Sequence, residues 1–217
     1  MIINNSFDYD WKNNHSTPKI AKKIVKILKK FKVLQNFTYL DVGCGNGEIT
    51  KKIYHFFKNS TAIDLSKEAI KIAKKKKLKK IKFVHSSIDY FIRVNKKFDF
   101  VSAIEVIEHQ YDPFTFLSKL YLITNKKGYV LITTPYHGYL KNILISLLGF
   151  MDRHFTALWK HGHIKFFSIK TLKELVLTKR FKSNNKIVKY NFEIESICFA
   201  GRFYPFSRSM IFLLRKI

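Results

Sequence analysis

Two short segments hold the residues best suited to chemistry. The first is Asp41-Val42-Gly43-Cys44-Gly45-Asn46-Gly47, with Asp64 placed 17 residues after Gly47. Three glycines at alternate positions let the backbone approach a ligand without a Cβ clash. Amides that open a helix after such a turn favour a negative or polar group. Asp41 closes a strand, where a carboxylate can face a cationic group. Asp64 closes the next strand, where a carboxylate can accept a pair of vicinal hydroxyls. The second segment is Glu105-Val106-Ile107-Glu108-His109. Glu105, Glu108 and His109 stand at i, i+3 and i+4, one face of a helical turn. Two carboxylates and an imidazole so placed can hold Mg²⁺ or another divalent cation. A fourth ligand must come from elsewhere: His163, in HGHIKFF, is the first candidate and His161 the second. The alternative is a plain lining role for the acids. In that case His109 or His163 can act as a general base.

These residues need elements that bring them together. Residues 18–34 show helical apolar spacing at Ile20, Ile24, Ile27, Leu28 and Phe31, with Pro18 in the first turn. Strands are expected at 38–42, 61–63, 81–84, 98–104 and 129–134. Helices are expected at 47–57, from a Ser66 cap to about residue 77, and at 113–123 behind Asp112-Pro113. Strands alternating with helices imply parallel pairing through right-handed crossovers. After Pro135 the pattern breaks into an aromatic, apolar, His-rich insertion, residues 136–162. A helix resumes at 168–177, residues 179–190 read as a polar loop, and 192–199 and 210–214 read as two closing strands. The whole is expected to be one α/β domain over 1–217, with residues 1–35 as an N-terminal helical segment.

Composition narrows the setting. The chain has 217 residues and a formal net charge of +26. Only 6 of its 41 basic residues are Arg. Sequence-specific nucleic-acid readers favour Arg for bidentate contacts, so nucleic acid is the less favoured partner. A Lys-rich surface still predicts salt-sensitive attraction to polyanions. Two cysteines, one of them inside the glycine loop, do not make a disulfide framework, and a cytoplasmic setting is expected. The longest apolar run, residues 143–151, is far short of the roughly 18 residues that span a bilayer.

The loop spacing, Gly-x-Gly-x-Gly rather than Gly-x-Gly-x-x-Gly, together with Asp41, favours S-adenosylmethionine over a dinucleotide. DVGCGNG, AIDLS, FDFVSAIEVIEH and YVLITTP follow one another as in the class I methyltransferases, and the chain resembles that family over roughly residues 36–177. The resemblance implies a Rossmann-like, mostly parallel seven-stranded sheet with an antiparallel last strand and helices on both faces. It implies cofactor-binding residues at Asp41, Gly43, Cys44, Gly45, Asn46, Gly47, Asp64 and Leu65, with Ser87 and Ile88 flanking the adenine and Glu105 below the methionine part. The family often has Asp where this chain has Ser87.

Glu-Val-Ile-Glu-His, the apolar insertion and then His-Ile-Lys-Phe-Phe-Ser are similar to the ubiquinone-biosynthesis O-methyltransferases. Small-RNA 2′-O-methyltransferases share the acid and histidine pattern. Both resemblances imply a metal held by Glu105, Glu108, His109 and His163 that polarises the acceptor hydroxyl. The expected activity is methylation of a small-molecule, lipid-linked or sugar hydroxyl by direct displacement, which asks the protein to align reactants and exclude water. The other readings are an RNA 2′-O-methyltransferase and a non-catalytic binding protein on the same fold. The insertion carries Tyr136, His137, Tyr139, the run 143–151, Arg153, His154, Phe155 and Trp159. It reads as a substrate lid, as a core-packing helix through Leu140, Ile143, Leu144, Leu147 and Leu148, or as a peripheral contact with an anionic inner-membrane surface flanked by Lys141, Arg153 and Lys160.

Overall fold

A computed structural model describes residues 17–31, 34–155, 162–183, 186–201 and 203–217. Trp159, Lys160 and His161 lie outside the described residues. Nine strands run in chain order: β1 (Thr38–Val42), β2 (Asn59–Asp64), β3 (Ile81–His85), β4 (Phe98–Ile104), β5 (Thr124–Pro135), β6 (Arg180–Ser183), β7 (Lys186–Lys189), β8 (Phe192–Ala200) and β9 (Ser209–Lys216). Seven of them form one sheet in the order β3-β2-β1-β4-β5-β9-β8. The pairs from β3 through β5 are parallel, and β9 is antiparallel to both neighbours. This is the mixed seven-stranded sheet that the motif order implies.

The strands are nearly continuous in apolar residues because both faces are covered. On one face α1 (Thr17–Leu28) packs Ile20, Ile24, Ile27 and Leu28 against Tyr39, Phe57, Phe100, Ile211 and Leu213. The other face takes α4 (Ile88–Arg93), α5 (Pro113–Leu122) and α8 (Ile169–Leu177). Their Phe91, Phe116, Leu117, Leu120, Leu172 and Leu175 meet Leu40, Val42, Val101, Ile132 and Phe212. Helix starts are chemically specified. Ser66 caps α3 (Lys67–Lys74) by accepting from the Ala69 amide. Asp112 accepts from the Thr115 amide with Pro113 in the first turn. Ser168 and Thr171 form a reciprocal capping box on α8.

Several expectations need correction. The helix expected at 18–34 ends at Leu28, where the Lys30 and Phe31 amides turn to the carbonyls three residues back. The helix expected at 47–57 shrinks to α2 (Thr50–Ile53) and a tight 3₁₀ turn at Tyr54–Phe56. Gly47 has φ +76°, a left-handed conformation that no right-handed helix contains, so helix cannot begin there. Residues 179–190 are not simply loop, since β6 and β7 pair with each other as a separate two-stranded ribbon. Each strand has only one neighbour, so the ribbon carries little of the apolar alternation that sequence patterning detects. α4 lies outside the expected elements, because its six residues are too few to show a helical period. β5 begins at Thr124 rather than residue 129, because Thr124 already pairs with Phe98 and the chain bulges before pairing resumes at Phe100↔Tyr129.

Candidate active site

The parallel strands end at one rim, and the registers Val42↔Ile63, Asp64↔His85, Val42↔Ala103 and Ile104↔Thr133 set their carboxyl ends level. Ligands of open α/β sheets bind at this edge. The glycine loop crosses it. Gly43, Gly45 and Gly47 have φ of +73°, +54° and +76°, values that favour glycine. The Gly43 and Cys44 amides both donate to the Ile63 carbonyl, at 2.8 and 2.9 Å, which fastens the turn to the end of β2. A Cβ on Gly43 would lie 2.6 Å from Val106 Cγ2. The loop therefore packs directly on the segment that carries Glu105, Glu108 and His109.

Asp64 bridges the loop from the next strand. One oxygen accepts from the Gly45 amide and the other from the Ser66 amide, each at 2.8 Å. Burial pushes its pKa up, against these amides. Each oxygen keeps a further lone pair for a hydroxyl. Leu65 is 75% exposed and leaves a bare apolar surface next to Asp64. Asp41 sits differently. It is buried beneath the loop, its oxygens taken by the Thr50 and Ser102 hydroxyls, each at 2.6 Å, and burial raises its pKa to about 6. Its observed role is to tie β1 to α2 and β4. Cys44 packs against the Ala62, Ala73 and Phe83 cluster, and burial holds its thiol protonated. The Asn46 side chain accepts from the Glu48 amide at 3.1 Å. Ser87 precedes α4 without a capping bond, and Ile88 is packed into the core.

The acid and histidine segment is a 3₁₀ turn, Ile107–His109, rather than a full helical face. Glu105 ends β4 in a left-handed conformation, φ +55°, a strained state for a side-chain-bearing residue. Its carboxylate accepts from Thr133 Oγ1 at 2.7 Å and from Ser209 Oγ at 3.4 Å. Burial raises its pKa to about 7, although Thr133, Ser209, Arg208 and Lys141 oppose the shift. Glu108 is fully buried, and neither of its oxygens has a hydrogen bond of ordinary geometry, although the Thr134 hydroxyl stands near enough to favour its charge weakly. Burial, then the charge of Glu105, pushes its pKa far up. The Glu108 carbonyl accepts from the Ile164 and Lys165 amides, both at 3.0 Å. That tie draws His163 beside His109, with ring centroids 5.1 Å apart. Ligand atoms of Glu108, His109 and His163 all lie within 4.8 Å of one another. Glu105 is not part of that cluster, because it has turned to Thr133 and Ser209. The four-residue set read from the sequence thus divides into a three-residue cluster and a separate acid.

Sequence reasoning missed Thr133, Ser209, Arg208 and Lys141, whose side chains or charges act on Glu105. No local spacing relates β5, β9 and α6 (Tyr139–Leu147) to Glu105, so no signal pointed to them. In the sequence Lys141 stands among the cations that flank the apolar run. It instead turns inward, with Nζ donating to the Tyr136 carbonyl at 2.7 Å. The apolar face of α6 does not pack onto the core: Tyr139, Leu140, Leu144, Leu147 and Leu148 are all exposed. Among the described residues no helix is long and apolar enough to cross a membrane.

Fold and loop together define the class: an S-adenosylmethionine-dependent methyltransferase with the class I fold. Residues 13–180 match the family described as "Methyltransferase domain", and the chain belongs to that family. It is 26% identical over 152 residues to the ubiquinone biosynthesis O-methyltransferase of Hydrogenovibrio crunogenus, covering 68% of this chain and 63% of that protein. The corresponding protein of Pelagibacter ubique is 31% identical over 130 residues, 58% of this chain and 53% of that one. The chain thus spans between half and two thirds of the length of these relatives. In fold it is similar to magnesium protoporphyrin IX methyltransferase from Synechocystis PCC 6803 with bound SAH. That likeness has a TM-score of 0.67 and 14% identity, covering 91% of this chain and 82% of the other.

Proposed function

We propose that the protein methylates a hydroxyl of a small-molecule or lipid-linked acceptor, using Glu108, His109 and His163 to hold a divalent cation beside that oxygen. The observation that carries this reading is Glu108. A fully buried carboxylate with no hydrogen bond of ordinary geometry is costly unless it takes up a proton or faces a cation, and two imidazoles stand next to it. The kinship to ubiquinone biosynthesis O-methyltransferases supports oxygen as the methylated atom.

When bound, S-adenosylmethionine supplies an electrophilic methyl group, and a divalent cation lowers the pKa of a hydroxyl it touches. The chain's own residues do the rest. Asp64 is built to accept ribose hydroxyls, and the glycine turn leaves room for the donor. Val106, packed on Gly43, couples the donor loop to the acceptor side. His163 is depressed to about 4 by burial and by the charges of His109 and His154. A neutral, weakly basic imidazole suits a metal ligand better than a general base.

The exposed apolar face of α6 favours an acceptor delivered at a membrane surface. The test is transfer of a labelled methyl group from the cofactor into lipid, polysaccharide and RNA fractions, with EDTA and with Mg²⁺ restored. Label is expected in the lipid fraction, lost with EDTA and regained with Mg²⁺. Labelling of RNA alone would support the 2′-O-methyltransferase reading that the +26 charge favours. Full activity in EDTA would remove the cation.

A further inference from the structure

His137 takes no part in the chemistry above, yet its position is unusual. It follows β5 directly, at the same rim as Glu105. Only 7% of it is exposed, and neither ring nitrogen has a hydrogen bond of ordinary geometry. The ring is fixed from several sides. It stacks on Phe155 with centroids 5.8 Å apart and meets Phe166 at 5.0 Å and His154 at 5.3 Å edge-on. Its backbone amide donates to the Phe167 carbonyl. Two neighbouring buried polar atoms also lack a hydrogen bond of ordinary geometry: Asn142 Oδ1, which faces the His137 ring, and His154 Nε2. Folded proteins pair nearly all such groups well, so several poorly satisfied groups around one ring point to a ligand that completes them.

The surroundings define that ligand. His137 and Asn142 line an open groove of about 620 Å³, whose other walls include Tyr139, Ile143 and Leu147. That volume suits a small organic molecule. Most of the wall is apolar, and Ser146 and Ser168 line it together with the polar pair. Burial, followed by the charges of Lys141, His154 and His163, keeps the His137 ring neutral. A neutral imidazole offers one donor and one acceptor, and Asn142 Oδ1 offers a second acceptor. A carboxylate only accepts and would leave the acceptors unmatched. A hydroxyl both gives and takes a hydrogen bond.

We propose that His137 and Asn142 form a specificity subsite that holds a second hydroxyl of the acceptor, other than the one methylated, while the acceptor's apolar body lies along Tyr139, Ile143 and Leu147. This rests on the reading of the protein as a hydroxyl methyltransferase and adds the pair that would select its substrate. His137 is here a positioning residue and takes no proton in the reaction.

The test compares pentylcatechol and pentylresorcinol, which carry two hydroxyls, with pentylphenol, which carries one. Binding is measured by calorimetry and by the imidazole nitrogen NMR shifts of His137. At least one diol is expected to bind about tenfold more tightly than the phenol and to shift those resonances. His137→Phe and Asn142→Leu should each reduce the preference toward unity. His137→Gln, which keeps a donor and an acceptor, should retain part of it. A merely structural role for His137 would lower all affinities together and leave the ratio unchanged. No diol preference in the wild-type protein, or a preference that survives both His137→Phe and Asn142→Leu, overturns the proposal. S-adenosylmethionine affinity, measured on the same samples, reports separately on the donor half. Its absence would overturn the methyltransferase reading without altering what the diol ratio says of His137.

Discussion

Glu105 shows how one residue can be set by three distant elements. Its backbone is held left-handed at the end of β4, and Thr133 and Ser209 grip its carboxylate. Burial raises its pKa from 4.5 to about 7. The folded state therefore binds this proton more tightly than the unfolded chain. The stability it contributes is complete below about pH 4.5 and is lost as the pH rises through about 7. His137 and His163 act in the opposite sense. Both are lowered from 6.5 to about 4, so their contribution is gained as the pH rises from about 4 to 6.5. The two effects partly cancel in the wild-type protein, and a substitution separates them. Glu105→Gln should grow more stable relative to wild type between about pH 4.5 and 7 and then level off. The difference should reach on the order of 1–3 kcal/mol. Urea denaturation at a series of pH values measures it, and a difference that does not vary with pH would contradict the assignment.

At the scale of elements, the glycine loop and the Glu105–His109 segment behave as one unit because Val106 lies against Gly43. Gly43→Ala meets two penalties, a left-handed φ of +73° and a Cβ 2.6 Å from Val106. Gly149→Ala meets only the first, since its φ is +67° and nothing lies within 4 Å of its Cβ. The left-handed conformation alone costs about 1 kcal/mol. Gly43→Ala should therefore be more destabilising by roughly 1–3 kcal/mol, the usual cost of overpacking, and should also weaken S-adenosylmethionine binding. Denaturation of both variants, with calorimetry for the cofactor, tests this. Equal losses would mean that Val106 simply moves aside.

The whole molecule joins a strong positive charge to one exposed apolar helix. Long-range attraction to an anionic surface follows from the +26 charge, and short-range insertion is the role open to α6. Leu147 is 77% exposed and contributes little to the core. Flotation with phosphatidylglycerol vesicles should be visible at low salt, weaken as salt is raised, and be largely lost in Leu147→Asp at an unchanged melting temperature. Flotation that ignores both salt and this substitution would remove the membrane role.

Much of the fold was legible in the sequence because its signals are local. β1 and β4 match their expected bounds, since buried parallel strands are short apolar runs between turns. α3, α5 and α8 begin where Ser66, Asp112 and Ser168 cap them. The turn of the glycine loop was equally legible, because Gly43, Gly45, Gly47 and Asp64 belong to one strand–turn–strand unit. What lay hidden depends on contacts between distant parts of the chain. Spacing put Glu105, Glu108 and His109 on one helical face, but the positive φ of Glu105 and the following 3₁₀ turn separate Glu105 from the others. The Ile164 and Lys165 amides bring His163 in by hydrogen bonds that no spacing encodes. The apolar stripe of α6 reads the same whether buried or bare, and only the packing around it decided that it is bare. Sequence alone thus determined most of the elements and the turn of the glycine loop, whose physics lies within a few residues. Tertiary structure decided which acids and histidines face one another, because that depends on how the sheet edge and the insertion close over it.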